Sequence, residues 1–95
     1  DDMEHQSTTS LKRKAMLLKP SVQIGKKGLS EESIKEIDKQ LKKHGLVKVK
    51  FLRSSLEQSG RKEMATEIAI RTGARIITKS GFMAVYYRPI KQKII

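Results

Sequence analysis

The chain has 95 residues, with 21 Lys and Arg against 10 Asp and Glu, a formal charge of +11 and no cysteine. That length makes one small domain with a modest core, and no run of about 18 apolar residues is present to span a membrane. The missing cysteine excludes disulfides, a thiol nucleophile and Cys-based metal sites, and His5 and His44 are too few for a His-rich one.

The first ten residues hold Asp1, Asp2 and Glu4 and no Lys or Arg. This polar, aperiodic stretch is expected to be disordered or an appended remnant. The folded body is expected over 11–95, where 21 bases face 7 acids, a net of +14. Leu11, Ala15 and Leu18 recur at helical spacing, with Ser10 as N-cap and Pro20 as stop. Ser21–Ile24 alternates Val22 and Ile24 inward, as a short strand does. After the tight turn Gly25-Lys26-Lys27-Gly28 a second helix is expected from Ser30. Glu31 and Glu32 suit its positive end, Ile34, Ile37 and Leu41 form its apolar stripe, and Gly45 ends it beside His44.

Leu46–Leu52 places Val47, Val49 and Phe51 on one side and Lys48 and Lys50 on the other, which predicts a half-buried strand with a basic outer face. Ser54–Gly60 reads as a loop, and Glu63–Thr72 as a third helix with Met64, Ala65 and Ile68 inward. Ala74–Thr78 and Met83–Tyr87 flank the hairpin signal Lys79-Ser80-Gly81-Phe82. The order is α-β-α-β-α-β-β. It predicts an α/β fold with one mixed four-stranded sheet covered on one face by helices.

The Gly25-Lys26-Lys27-Gly28 turn is the most chemically pointed segment. Two glycines let backbone approach a phosphate, the lysines add charge, and a helix N-terminus follows. The spacing alone also suits a plain structural turn with solvated lysines. Neither a Walker A loop nor a dinucleotide fingerprint occurs. The span 12–27 carries Lys12, Arg13, Lys14, Lys19, Lys26 and Lys27 and no acid, a continuous positive patch if the first helix packs beside the turn. The Lys48 and Lys50 face is either solvated or a second binding surface. Arg88 suits a phosphate contact or an ion pair closing the sheet. Tyr86 and Tyr87 point to opposite faces, so one could reach solvent, and Phe82 either stacks on a base or plugs its turn. Glu57 and Glu63 stand too far apart for a carboxylate pair, and no enzyme chemistry is expected.

The run from Leu11 to Pro20, then Val22-Gln23-Ile24-Gly25-Lys26-Lys27-Gly28-Leu29-Ser30-Glu31, resembles the CRM domain (chloroplast RNA splicing and ribosome maturation), nearest its single-domain YhbY-like members. Glu36-Ile37, His44 to Lys50, Thr72-Gly73-Ala74 and Tyr87-Arg88-Pro89 extend the likeness over about 11–93. The hairpin Lys79–Tyr87 departs from the more aliphatic run of many members. The resemblance implies a fold similar to the C-terminal domain of bacterial translation initiation factor three. It also implies binding of RNA, in the stand-alone members precursor RNA of the large ribosomal subunit. On it, Gly25, Lys26, Lys27 and Gly28 form the RNA loop, with Lys12, Arg13, Lys14, Lys19 and Arg88 extending the surface. A cytoplasmic monomer without cofactor is expected. The alternatives are a module docking on acidic proteins, with RNA incidental, and a binder of anionic membrane surfaces, which needs exposed bulky apolar groups on a basic helix.

Overall fold

The computed structural model describes residues 8–25, 28–52 and 58–90. Among them are α1 (Thr8–Leu17), β1 (Val22–Ile24), α2 (Glu31–His44), β2 (Leu46–Phe51), α3 (Gln58–Thr72), β3 (Arg75–Ser80) and β4 (Met83–Tyr87). The strands make one mixed sheet in the order β1-β2-β4-β3, and the expected α/β class is the one observed.

β1 and β2 are parallel neighbours, with Val22 opposite Val49 and Ile24 opposite Phe51. A parallel pair cannot be closed by a hairpin, so α2 carries the chain back along the sheet. The Ser30 hydroxyl accepts from the Ser33 amide at 3.1 Å and caps that helix. Gly45, at φ 75°, ends it by donating to the Leu41 carbonyl. Ile34, Ile37 and Leu41 then face Val47, Val49 and Phe51, while Met64, Ala65 and Ile68 of α3 complete this core. The Tyr86 ring is fully buried there, and its hydroxyl donates to the Ala65 carbonyl at 2.9 Å. Burial pushes that phenol's pKa up, so it stays a neutral donor.

The second face of the sheet is not left to water, contrary to expectation. Val85 and Tyr87 of β4 point there and are buried, as are Leu11 and Ala15 of α1. These four lie outside the main core, and α1 packs across this side toward β3. Lys48, opposite Val85 in the ladder, sends its ammonium to the carbonyls of Ala15 (3.3 Å) and Leu18 (3.2 Å). It satisfies the carbonyl end of α1, where a cation is favoured. The alternation of β2 therefore does not expose a basic face: Lys48 is a tether, and Lys50 is half-buried.

Other differences are smaller. Ser10 lies inside α1, which begins at Thr8, so it is not the cap. Helix α3 begins at Gln58, within the stretch read as a loop; positions 54–57 of that loop, including Glu57, lie outside the described residues. Strand β3 starts one residue later and runs two residues further than expected, with a bulge between Ile76 and Thr78 that shifts its register. Both tyrosines are buried, since each sheet face carries a helix; Tyr87 also lies under the Arg75 guanidinium, 5.7 Å from its ring centre.

Replacing Lys48 by Met is expected to destabilise the fold by about 1–2 kcal/mol, the usual worth of charged hydrogen bonds at a helix end. Amide exchange in α1 should accelerate more than in α2. Equal protection of α1 in the variant and the parent would show that the tether carries nothing.

Candidate nucleic-acid interface

The connection from β1 to α2 leaves the sheet at the carboxyl ends of two parallel strands. Leu52 donates to the Ile24 carbonyl at 2.9 Å, which holds both strand ends together. The Gly28 amide then donates to the Gly25 carbonyl at 2.9 Å and closes the four-residue turn. Gly28 has φ 78°, a conformation costly for residues with a Cβ. Gly25 needs no such freedom, and a Cβ there would meet only the Leu52 side chain at 3.5 Å, an ordinary contact. The two glycines thus do different work: one makes the turn, the other leaves its outer side open. Lys26 and Lys27, the two central residues of the loop, lie outside the described residues.

Electrostatics at this turn rest on side chains more than on the helix dipole. Glu31 and Glu32 stand in the first turn of α2 and screen its positive end. Glu31 is itself paired with Arg71 at 2.6 Å. A phosphate approaching here therefore depends on nearby lysines.

The hairpin supplies one that sequence reading missed, and α3 another. Phe51, the last residue of β2, donates its amide to the Phe82 carbonyl at 2.7 Å, so the tip of the β3–β4 hairpin reaches the same end of the sheet. Exposed Lys79 and, from α3, exposed Lys62 flank a shared concavity of about 380 Å³ beside Phe51. No local motif marks either lysine: the register of β3 with β4 brings Lys79 there, and the packing of α3 on the sheet brings Lys62.

The remaining expected residues lie elsewhere. Lys12, Arg13 and Lys14 are exposed on α1, which covers the sheet face opposite α2, so the first helix does not pack beside the glycine turn. Exposed Lys19 follows that helix, just before Ser21 donates to the Lys48 carbonyl at 3.0 Å. Arg88 leaves β4 beside the start of β2, its amide donating to the Gly45 carbonyl at 2.9 Å. Lys19 and Arg88 thus sit where β2 begins, and Gly25 and Gly28 where it finishes. With six residues in β2 the two ends are roughly 17 Å apart.

Arg88 makes the ion pair that its position allowed. Its Nη1 donates to Asp38 Oδ1 at 2.8 Å and to the Thr72 carbonyl, and its Nη2 reaches the Asp38 carbonyl at 3.3 Å. Lys42 also approaches Asp38, at 3.3 Å. These bonds tie α2, the end of α3 and the end of β4 together. Among the described residues no group of three His, Cys, Asp or Glu side chains gathers to hold a metal, and no helix is long and apolar enough to cross a membrane.

Residues 3–88 match the family model of the CRS1 / YhbY (CRM) domain. A probable RNA-binding protein of Methanocaldococcus jannaschii is 39% identical over 79 residues, covering 83% of this chain and 58% of the relative. The chain thus spans somewhat under two-thirds of that relative's length. Among solved structures, a candidate RNA-binding protein from Staphylococcus aureus superposes with a TM-score of 0.73 and 32% identity, over 92% of this chain and 88% of the other.

The Asp38–Arg88 pair has a pH signature of its own. The hydrogen bond from Arg88 holds the Asp38 carboxyl below its ordinary pKa, against the opposing pull of burial, with Lys42 adding to the effect. A carboxylate lowered on folding stabilises the protein fully above its unfolded pKa, about 3.9, and loses that contribution as pH falls through the lowered value. Asp38→Asn should therefore be less stable than the parent at pH 7 but lose less between about pH 4 and 2 in urea titrations. An unchanged acid limb would remove Asp38 from the account.

Proposed function

The chain belongs to the CRS1 / YhbY (CRM) domain family, and from that membership and the loop geometry we propose that it binds RNA. In this reading it holds precursor ribosomal RNA of the large subunit during assembly, in the cytoplasm, and makes or breaks no bond. The observation that carries the binding is the hydrogen bond that joins Gly28 to Gly25 at the carboxyl ends of β1 and β2, in a segment whose sequence holds two lysines between the glycines. The names of the Methanocaldococcus and Staphylococcus relatives support an RNA partner.

Recognition runs through backbone and shape. Phe51, Tyr86 and Tyr87 are buried, and Phe82 at the hairpin tip is half-buried, so few rings are left for stacking on bases. Lysines around the turn act on phosphates, which positions the protein without reading sequence. Lys62 and Lys79 widen that contact beyond the loop.

Changing Lys26 and Lys27 together to Glu should lower affinity for a structured precursor-rRNA fragment at least tenfold while the circular dichroism stays native. Gly25→Asp should do the same, since a Cβ there makes only an ordinary contact with Leu52 and the added carboxylate repels a phosphate. Unchanged affinity in both variants would reduce the loop to a turn. Between about 50 and 200 mM salt, a contact with roughly six phosphates loses about a thousandfold in affinity, as released counterions cease to drive it. A flat dependence would contradict backbone binding.

A further inference from the structure

At the other end of the sheet the structure opens a groove that the RNA reading does not use. It is a concavity of about 460 Å³ between the end of α1, the end of α2 and the start of β2. Leu17, Leu18 and Leu46 give it apolar walls, while Lys14, Lys19 and His44 stand around them, and among the described residues no acidic side chain lines it. Leu17 is 86% exposed and its neighbour Met16 80%. Large apolar groups left this open beside a groove are uncommon on a small soluble domain and mark a contact surface.

We propose that this groove docks an acidic, apolar-faced helix of a partner protein. The apolar walls decide against a nucleic acid as the occupant: a phosphodiester strand would meet the charge of Lys19 but bring no aliphatic surface to cover Leu17. A helix with leucines on one face and carboxylates at its margins answers both features, its apolar side chains entering the groove while its acids meet the basic rim. A bilayer would need a longer apolar face than α1 offers, since Pro20 follows the helix within three residues. Because the groove and the glycine turn lie at opposite ends of β2, the domain can hold RNA and a protein together.

The probe is a synthetic 18-residue helix with leucines on one face and glutamates on the other, labelled for fluorescence anisotropy with the full chain. Its control carries serines in place of the leucines at the same charge. The leucine peptide should bind at least tenfold more tightly than the control and shift the NMR signals of Leu17, Leu18, His44 and Leu46. Leu17→Ser should cost about tenfold in peptide affinity and leave RNA affinity within twofold. Equal binding of both peptides would show charge attraction alone and overturn the proposal. So would an unaffected Leu17→Ser variant, or signals at the groove that move with RNA or with phosphatidylglycerol vesicles but not with the peptide. Loss of RNA binding in the glycine-turn variants has no bearing on these outcomes, so the two readings fail separately.

Discussion

The parallel pairing of β1 with β2 is the constraint from which the rest of the molecule follows. Two parallel neighbours require a crossover, and α2 provides it. The crossover must leave from the carboxyl end of β1, so Gly25 and Gly28 lie at the edge where open α/β sheets place their ligands. Gly28 makes the reversal possible in four residues, and Ser30 starts the helix immediately afterwards. A conformational need of the backbone is thereby met in a segment whose sequence also carries two lysines.

The large positive charge divides into two populations. Lys48, Arg71 and Arg88 are committed to the fold, binding the carbonyls of α1, Glu31 of α2, and Asp38 with the Thr72 carbonyl. Lys12, Arg13, Lys19, Lys62 and Lys79 are exposed. The net charge therefore overstates how much is available to a polyanion at any one place. The exposed cations also do not form one ridge: Lys62 and Lys79 flank a concavity beside Phe51, at the end of β2, whereas Lys14 and Lys19 border an apolar groove at its start.

Much of this architecture was legible in the residues. The apolar stripe of α2, its Ser30 cap and Gly45 stop, the inward side of β2 and the span of β4 all follow from local periodicity and capping chemistry, and the structure has them. What periodicity could not convey is which partner waits on each face. Lys48 and Lys50 alternate outward from the core, yet outward here means toward α1, and an alternating strand reads the same whether a helix or water lies beyond it. The expectation that one of Tyr86 and Tyr87 reaches solvent fails for the same reason, as both are buried. The site suffered from a related limit: Lys12 to Lys27 are close along the chain, but α1 lies on one face and the turn at one end, while Lys79 arrives through the register of β3 with β4 and Lys62 through the packing of α3 on the sheet.

The central claim is that polyanion is gripped where β1 hands over to α2. The most direct measurement is an NMR titration of the labelled chain with a structured precursor-rRNA fragment. The account predicts that the amides of Gly25, Gly28, Leu29 and Ser30 move first and furthest, followed by Lys62 and Lys79. Saturable binding that leaves those amides in place while others shift would contradict it.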